Sequence, residues 1–185
     1  MGLRLFIGHG ASGSAASMGA HVAGLRRRGI EAVAIDLPVK KAETAIPALR
    51  AIVPDRPSAL GDAIAVGGQS YGGRVASLAA AETDTDYAAL VLFSYPLHPP
   101  GRPDNAAERT SHWPAIRCPV LLLSGEADPF ARIELLRARV PLLADAELVT
   151  YPGLGHTLKP VLEDALDRTA RFLVDRVIKP GEVPG

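Results

Sequence analysis

The chain has 185 residues, 48% of them hydrophobic, with 20 basic side chains against 20 acidic ones, the profile of one globular domain with a core of ordinary size. Zero net charge, with no basic run beyond Arg26-Arg27-Arg28, leaves no electrostatic footprint for nucleic acid or an anionic membrane. A lone Cys118 excludes an internal disulfide and a multi-cysteine zinc site and fits a reducing compartment.

The opening MGLRLFIGHG has an apolar run too short for a secretion signal, and Phe6 stands where a myristoylation motif needs Ser or Thr. No stretch has the length of a membrane span, so the expected location is cytoplasmic. Residues 3–7 read as a first buried strand, and 15–28 as a helix closed by the three arginines and by Gly29 as its left-handed cap. Strands follow at 32–35, 63–66, 90–93, 120–123 and 148–151, with helices near 42–53, 71–82, 131–140 and 160–178. The strands are short continuous apolar runs, which marks burial on both faces. The last helix carries Pro160 in its first turn, and Leu162, Ala165, Leu166, Phe172 and Leu173 follow one stripe. Strands alternating with helices predict an α/β fold: about six mostly parallel strands, helices on both faces, right-handed crossovers. One domain over 1–178 and a frayed tail over 179–185 complete the division. Residues 95–118 break the rhythm, because prolines there come too often for regular structure, and a loop of that length in a compact domain usually serves function.

In GGQSYGG, Ser70 falls between the strand AIAVGGQ and the helix YGGRVAS, as G-x-S-x-G. A serine on a strained strand-to-helix turn needs glycines two positions either side, since a Cβ there would strike the adjoining strand and helix. The turn lifts the hydroxyl clear of the sheet and sets it at a helix N-terminus, where developing negative charge is favoured. The alternatives are a turn that only packs strand on helix, or a phosphate cradle; the second lacks its G-x-G-x-x-G spacing.

A serine nucleophile needs a base, and the base an orienting carboxylate, in chain order Ser, acid, His on this architecture. After the strand VLLLS comes GEADPF, and after ELVTY comes PGLGHTL, so both candidates lie just past strand C-termini, where open parallel sheets bind ligands. Asp128, between Gly125 and Pro129, is the preferred acid, with Glu126 as the alternative; His156 is the base. The backbone N–H groups of Tyr71 and Ala11 are the expected oxyanion donors. His9 contributes mainly through the backbone of its loop and is a candidate for the substrate wall, as are Tyr95, Leu97, His98 and Trp113 of the proline-rich loop, whose other reading is loop packing. His21 reads as a packed or exposed helical residue, Cys118 as an apolar filler. His98 and His112 lack the carboxylates or cysteines to complete a metal set, so no metal and no organic cofactor is expected.

Taken in order, GHGA, GGQSYGG, GEADPF and GLGH resemble the α/β-hydrolase superfamily along nearly the whole chain. FSYPLHPPGRP and GGQSYGGRVAS resemble more narrowly its small dienelactone-hydrolase-like branch, which includes testis-expressed hydrolase-like proteins. The resemblance implies Ser70 as nucleophile, His156 as general base, Asp128 as orienting acid and Ala11 and Tyr71 as backbone donors. It implies a serine hydrolase of a small carboxylic ester or thioester. The superfamily commonly opens with two more strands, so six are expected here where eight are common; the 95–118 loop stands where relatives carry a lid, which suggests an open site. Dienelactone hydrolases proper use a cysteine nucleophile, which sets their substrate apart. The rival from another class is a non-catalytic scaffold of the same fold that binds a protein or small ligand.

Overall fold

Six apolar runs pair into a single sheet in the order β2-β1-β3-β4-β5-β6, every neighbouring pair parallel. A computed structural model describes residues 2–56 and 61–178; the expected tail at 179–185 lies outside the described residues. The strands are β1 Leu3–Gly8, β2 Glu31–Ile35, β3 Ala63–Gln69, β4 Ala89–Phe93, β5 Val120–Gly125 and β6 Ala146–Tyr151. The helices are α1 Gly19–Arg27, α2 Ala42–Ile52, α3 Tyr71–Ala80, a four-residue α4 Ala106–Arg109, α5 Ile133–Arg139 and α6 Leu162–Leu173.

The side-chain period of two splits each strand between two cores. Leu3, Leu5 and Ile7 of β1, Val91 and Phe93 of β4, and Leu121 and Leu123 of β5 meet Leu25 of α1 and Leu166, Phe172 and Leu173 of α6. Their alternates Phe6, Ile64, Val66, Leu90, Leu92 and Leu122 meet Ala45 and Leu49 of α2, Val75 and Ala79 of α3, and Leu136 of α5. Residues such as Leu5, Ile7, Leu121 and Leu123 are fully buried, each contributing about 1.5–3 kcal/mol. The arginines after Leu25 act beyond the cap expected of them. Gly29 does cap α1 with φ 77°, its N–H donating to the Arg26 carbonyl, while Arg28 also ties α1 to α6 through Asp167 at 2.6 Å and Glu163 at 2.9 Å.

The segment expected to be an irregular loop is partly ordered as helix. Between β4 and β5 it forms 3-10 turns at Pro103–Asn105 and Trp113–Ala115 around α4, so the prolines start turns rather than prevent structure. Trp113, Tyr95 and Leu97 from this segment fill the α3 face of the core. The strand order reverses direction between β1 and β3, the place in an open parallel sheet where ligands bind at the carboxyl edge.

Candidate active site

Ser70 sits between β3 and α3 with φ 50° and ψ −111°, a conformation costly for any side chain-bearing residue. Two contacts hold it there: its own N–H donates to the Phe93 carbonyl at 2.9 Å, and the next turn is fixed by Gly72 N–H donating to His9 O at 2.9 Å. The glycines are required by close approach of backbone to backbone. A Cβ on Gly68 would lie 2.5 Å from Gly72 C and 2.7 Å from Gly8 O, and one on Gly72 would collide with Gly8 itself. Gly8 and Gly68 are register partners on β1 and β3, so three glycines from three elements allow α3 to begin directly on the sheet edge.

The loop after β5 brings a carboxylate to this edge and the loop after β6 an imidazole. His156 Nε2 lies 2.9 Å from Ser70 Oγ, and His156 Nδ1 lies 2.8 Å from Asp128 Oδ2. Asp128 has no exposed side-chain surface, and its second oxygen accepts the Phe130 N–H at 2.8 Å. An ionised carboxylate only accepts, so Nδ1 carries the imidazole proton and Nε2 is left to accept from the serine. Glu126, the alternative acid, faces elsewhere: one of its oxygens takes Arg137 and Thr150, each at 2.8 Å. The Ala127 N–H donates to Leu154 O at 2.8 Å, tying the acid loop to the histidine loop. Phe130 packs its ring against His156 with centroids 4.5 Å apart.

Ser70 opens onto a groove of about 740 Å³ whose walls include Ala11, Lys40, Glu43, Tyr71, Arg109 and Phe130. Ala11 and Tyr71 line it together with Ser70, and neither backbone N–H donates to a loop or turn carbonyl among the described residues. The tyrosine hydroxyl reaches across to the loop after β2, donating to Pro38 O at 2.6 Å and accepting from Lys40 N–H at 3.2 Å. The sequence model of a family described as "Alpha/beta hydrolase domain" matches residues 3–179. The chain belongs to the alpha/beta hydrolase family.

Solved structures agree with that membership at the level of fold. The chain is similar to a monoacylglycerol lipase from Paleococcus ferrophilus, at 17% identity over 94% of each chain with a TM-score of 0.79. It is similar to Est1E from Butyrivibrio proteoclasticus, a structure with ferulic acid bound, at 20% identity over 97% of this chain and 90% of the other, TM-score 0.76. A dienelactone hydrolase from Anabaena variabilis is similar at 23% identity over 95% and 87%, TM-score 0.68. No curated protein matches the sequence. Among the described residues no helix is long and apolar enough to cross a membrane, and no group of three His, Cys, Asp or Glu could hold a metal ion.

For this alpha/beta hydrolase the expected wall residues need correction. His9, Tyr95, Leu97, His98 and Trp113 are all buried, none lines the groove, and the surface falls instead to Pro96, Pro99 and Pro100 between them. Tyr95, Leu97 and His98 turn inward to the core, Pro99 and Pro100 keep exposed surface, and Pro96, though buried, still borders the groove. The two histidines act as braces of one design. His9 Nε2 accepts the Leu37 N–H at 3.0 Å, and His98 Nε2 accepts the Arg132 N–H at 3.1 Å. Each Nδ1 donates to the carbonyl of the following residue, Gly10 at 2.7 Å and Pro99 at 2.8 Å. His98 N–H also donates to Phe130 O at 2.9 Å, so this segment supports the loop that carries Asp128.

Four groove residues escape sequence reasoning. Lys40, Lys41, Arg74 and Arg109 line the walls, and nothing in their local sequence marks them, since lysines and arginines on loops and helices read as solvated surface. Phe130 follows Asp128 closely enough that its place beside the histidine could have been expected. Ser94 is a second strained serine, with φ 50° after β4, but it is buried, its hydroxyl has no partner among the described residues, and no helix follows it.

Proposed function

We propose that the protein is a serine hydrolase that cleaves small carboxylic esters or thioesters by acyl transfer. The observation that carries the reading is the unbroken hydrogen-bonded line Ser70, His156, Asp128, at 2.9 Å and 2.8 Å, opening onto a groove. Ser70 Oγ attacks the carbonyl carbon while its proton passes to His156 Nε2, and the carbonyl oxygen becomes an oxyanion facing the N–H groups of Ala11 and Tyr71. Asp128 holds the tautomer and stabilises the imidazolium. The imidazolium then protonates the leaving alcohol or thiol, giving the acyl-enzyme. Water attacks that ester, its proton goes to Nε2, and collapse of the second tetrahedral intermediate releases the acid and returns the proton to Ser70. An oxyanion donor of this kind is worth about a hundred- to a thousandfold in turnover.

An open groove and an imidazole already within hydrogen-bond reach of the hydroxyl support hydrolysis over a non-catalytic scaffold. The absence of a long insertion after β4 supports an open site and short acyl chains. The test is covalent labelling by a fluorophosphonate together with turnover of a p-nitrophenyl ester series. Wild type is expected to label and to turn over short esters, and Ser70→Ala to do neither. Equal labelling of the two proteins rejects Ser70 as the nucleophile.

A further inference from the structure

Resting on the hydrolase reading above, we infer that the groove selects esters bearing a carboxylate away from the scissile carbonyl, with Arg109 and Lys40 as its counter-ions. The whole chain is electrically neutral, yet the groove is not: Lys40, Lys41, Arg74 and Arg109 line it against only Glu43 and Glu108. The excess is therefore local to the site.

Arg74 does not supply that excess. Its Nη2 meets Glu43 Oε1 at 2.7 Å, and Lys41 also acts on that carboxylate, which its own backbone, Arg74 and Lys41 hold below the usual range. Arg109, at the end of α4, is different. Its Nη1 donates to the Pro96 carbonyl at 3.0 Å, and it forms no ion pair among the described residues. The helix end that carries it is fixed, because its own carbonyl accepts Tyr95 OH at 2.7 Å and Arg74 Nη1 at 3.3 Å. Burial has cost the guanidinium part of its water, and the neighbouring Arg74 charge adds repulsion; both effects push it below its ordinary range, and the attraction of Tyr95, Glu108 and Glu43 offsets them only in part. Glu108 adjoins it in sequence, but its carboxylate is exposed and takes the Asn105 amide at 3.4 Å. Lys40, also on the groove wall, is exposed and makes no ion pair among the described residues, and its backbone is anchored to the Tyr71 hydroxyl beside Ser70. A guanidinium fork with N–H groups left over after the Pro96 bond, lining the same groove as an exposed ammonium, is matched to the flat two-oxygen edge of a carboxylate.

The test compares matched esters that put the charge on either side of the scissile bond. On the acyl side, mono-p-nitrophenyl glutarate is set against p-nitrophenyl pentanoate; on the alcohol side, 4-acetoxybenzoate against its methyl ester. Wild type is expected to prefer the charged member of one pair by about tenfold in kcat/KM, a preference that shrinks with added salt. Arg109→Gln should lower that charged-to-neutral ratio about tenfold, Lys40→Gln about threefold, and Arg109→Lys should recover part of it. Lys40 is exposed, so its variant reports even where Arg109→Gln fails to fold. Ratios near one in both pairs, unmoved by the variants while Ser70→Ala abolishes turnover, overturn the anion site and leave the hydrolase reading standing. Should Ser70→Ala keep its turnover, the hydrolase reading fails instead, and calorimetric binding of glutarate decides the anion site. Binding weakened by Arg109→Gln supports it, and no binding, or equal binding, rejects it.

Discussion

Two serines, Ser70 capping helix α3 and Ser77 within it, each lie 2.9 Å from a histidine Nε2, and they show why such a pair is not in itself a reactive one. At the helix start Ser70 meets His156; two turns later Ser77 meets His112. Ser77 donates its proton to the Arg74 carbonyl at 2.8 Å, so it must accept from His112, whose proton sits on Nε2. Around Ser70 the direction is opposite, because Asp128 claims Nδ1–H and frees Nε2 to accept. Burial also separates the two. Ser77 is fully buried, and desolvation, with Arg74 nearby, pushes His112 from its ordinary 6.5 down to about 4, so its imidazole is a neutral structural donor. What makes the proposed nucleophile is the carboxylate behind the histidine and the groove in front of the serine.

That contrast can be broken most directly by inverting the tautomer of His156. Asp128→Asn is expected to lower ester turnover by about a thousandfold or more with the fold retained, because an amide can donate to Nδ1 and so leave the proton on Nε2. Turnover near wild type would mean that the carboxylate does not direct the proton. Next comes the elbow that exposes Ser70 while Ser77 stays inside. Gly72→Ala should cost about 3 kcal/mol or more in chemical denaturation, since its Cβ meets the backbone of Gly8 rather than a yielding side chain. A stable Gly72→Ala protein would show that the close approach of α3 to β1 is not needed.

Smaller effects are expected at the buried pair. Ser77→Ala leaves the His112 N–H without its acceptor and should destabilise by about 1–3 kcal/mol, while fluorophosphonate labelling persists in the folded protein. Loss of labelling there would erase the distinction between the pairs. The acid limb of stability sharpens it further. His112, and His21 whose burial also lowers its pKa, bind protons more readily unfolded than folded. Stability should therefore be full above about pH 6.5 and fall as pH drops toward 4, with a slope of up to about 1.4 kcal/mol per pH unit for His112 alone. His112→Gln should flatten that slope between pH 6.5 and 4.5; an unchanged slope would show that His112 is not the group responsible.

Much of this molecule was legible before its structure. All six strands lie where continuous apolar runs place them, since burial on both faces leaves that mark in a local window, and GGQSYGG announces its turn because a backbone crossing at Gly68 and Gly72 excludes every side chain. Order along the chain, together with strand ends, put forward Asp128, with Glu126 as the alternative, and His156, and the structure places Asp128 and His156 in contact with each other and His156 with Ser70. Wall residues were misread for an equally physical reason: in a segment without periodic structure, sequence does not tell which side chains turn inward, and Tyr95, Leu97 and Trp113 all went to the core.

The sequence by itself determined the elements and the candidate site residues, because propensity, apolar period and glycine spacing are local properties. Only the tertiary structure decided which way each proton points, which histidines brace loops instead of accepting from a serine, and that Arg109 lines the groove without an ion pair among the described residues. Those outcomes depend on groups far apart in the chain, 86 residues in the case of Ser70 and His156, whose distances are set when the loops at one sheet edge converge.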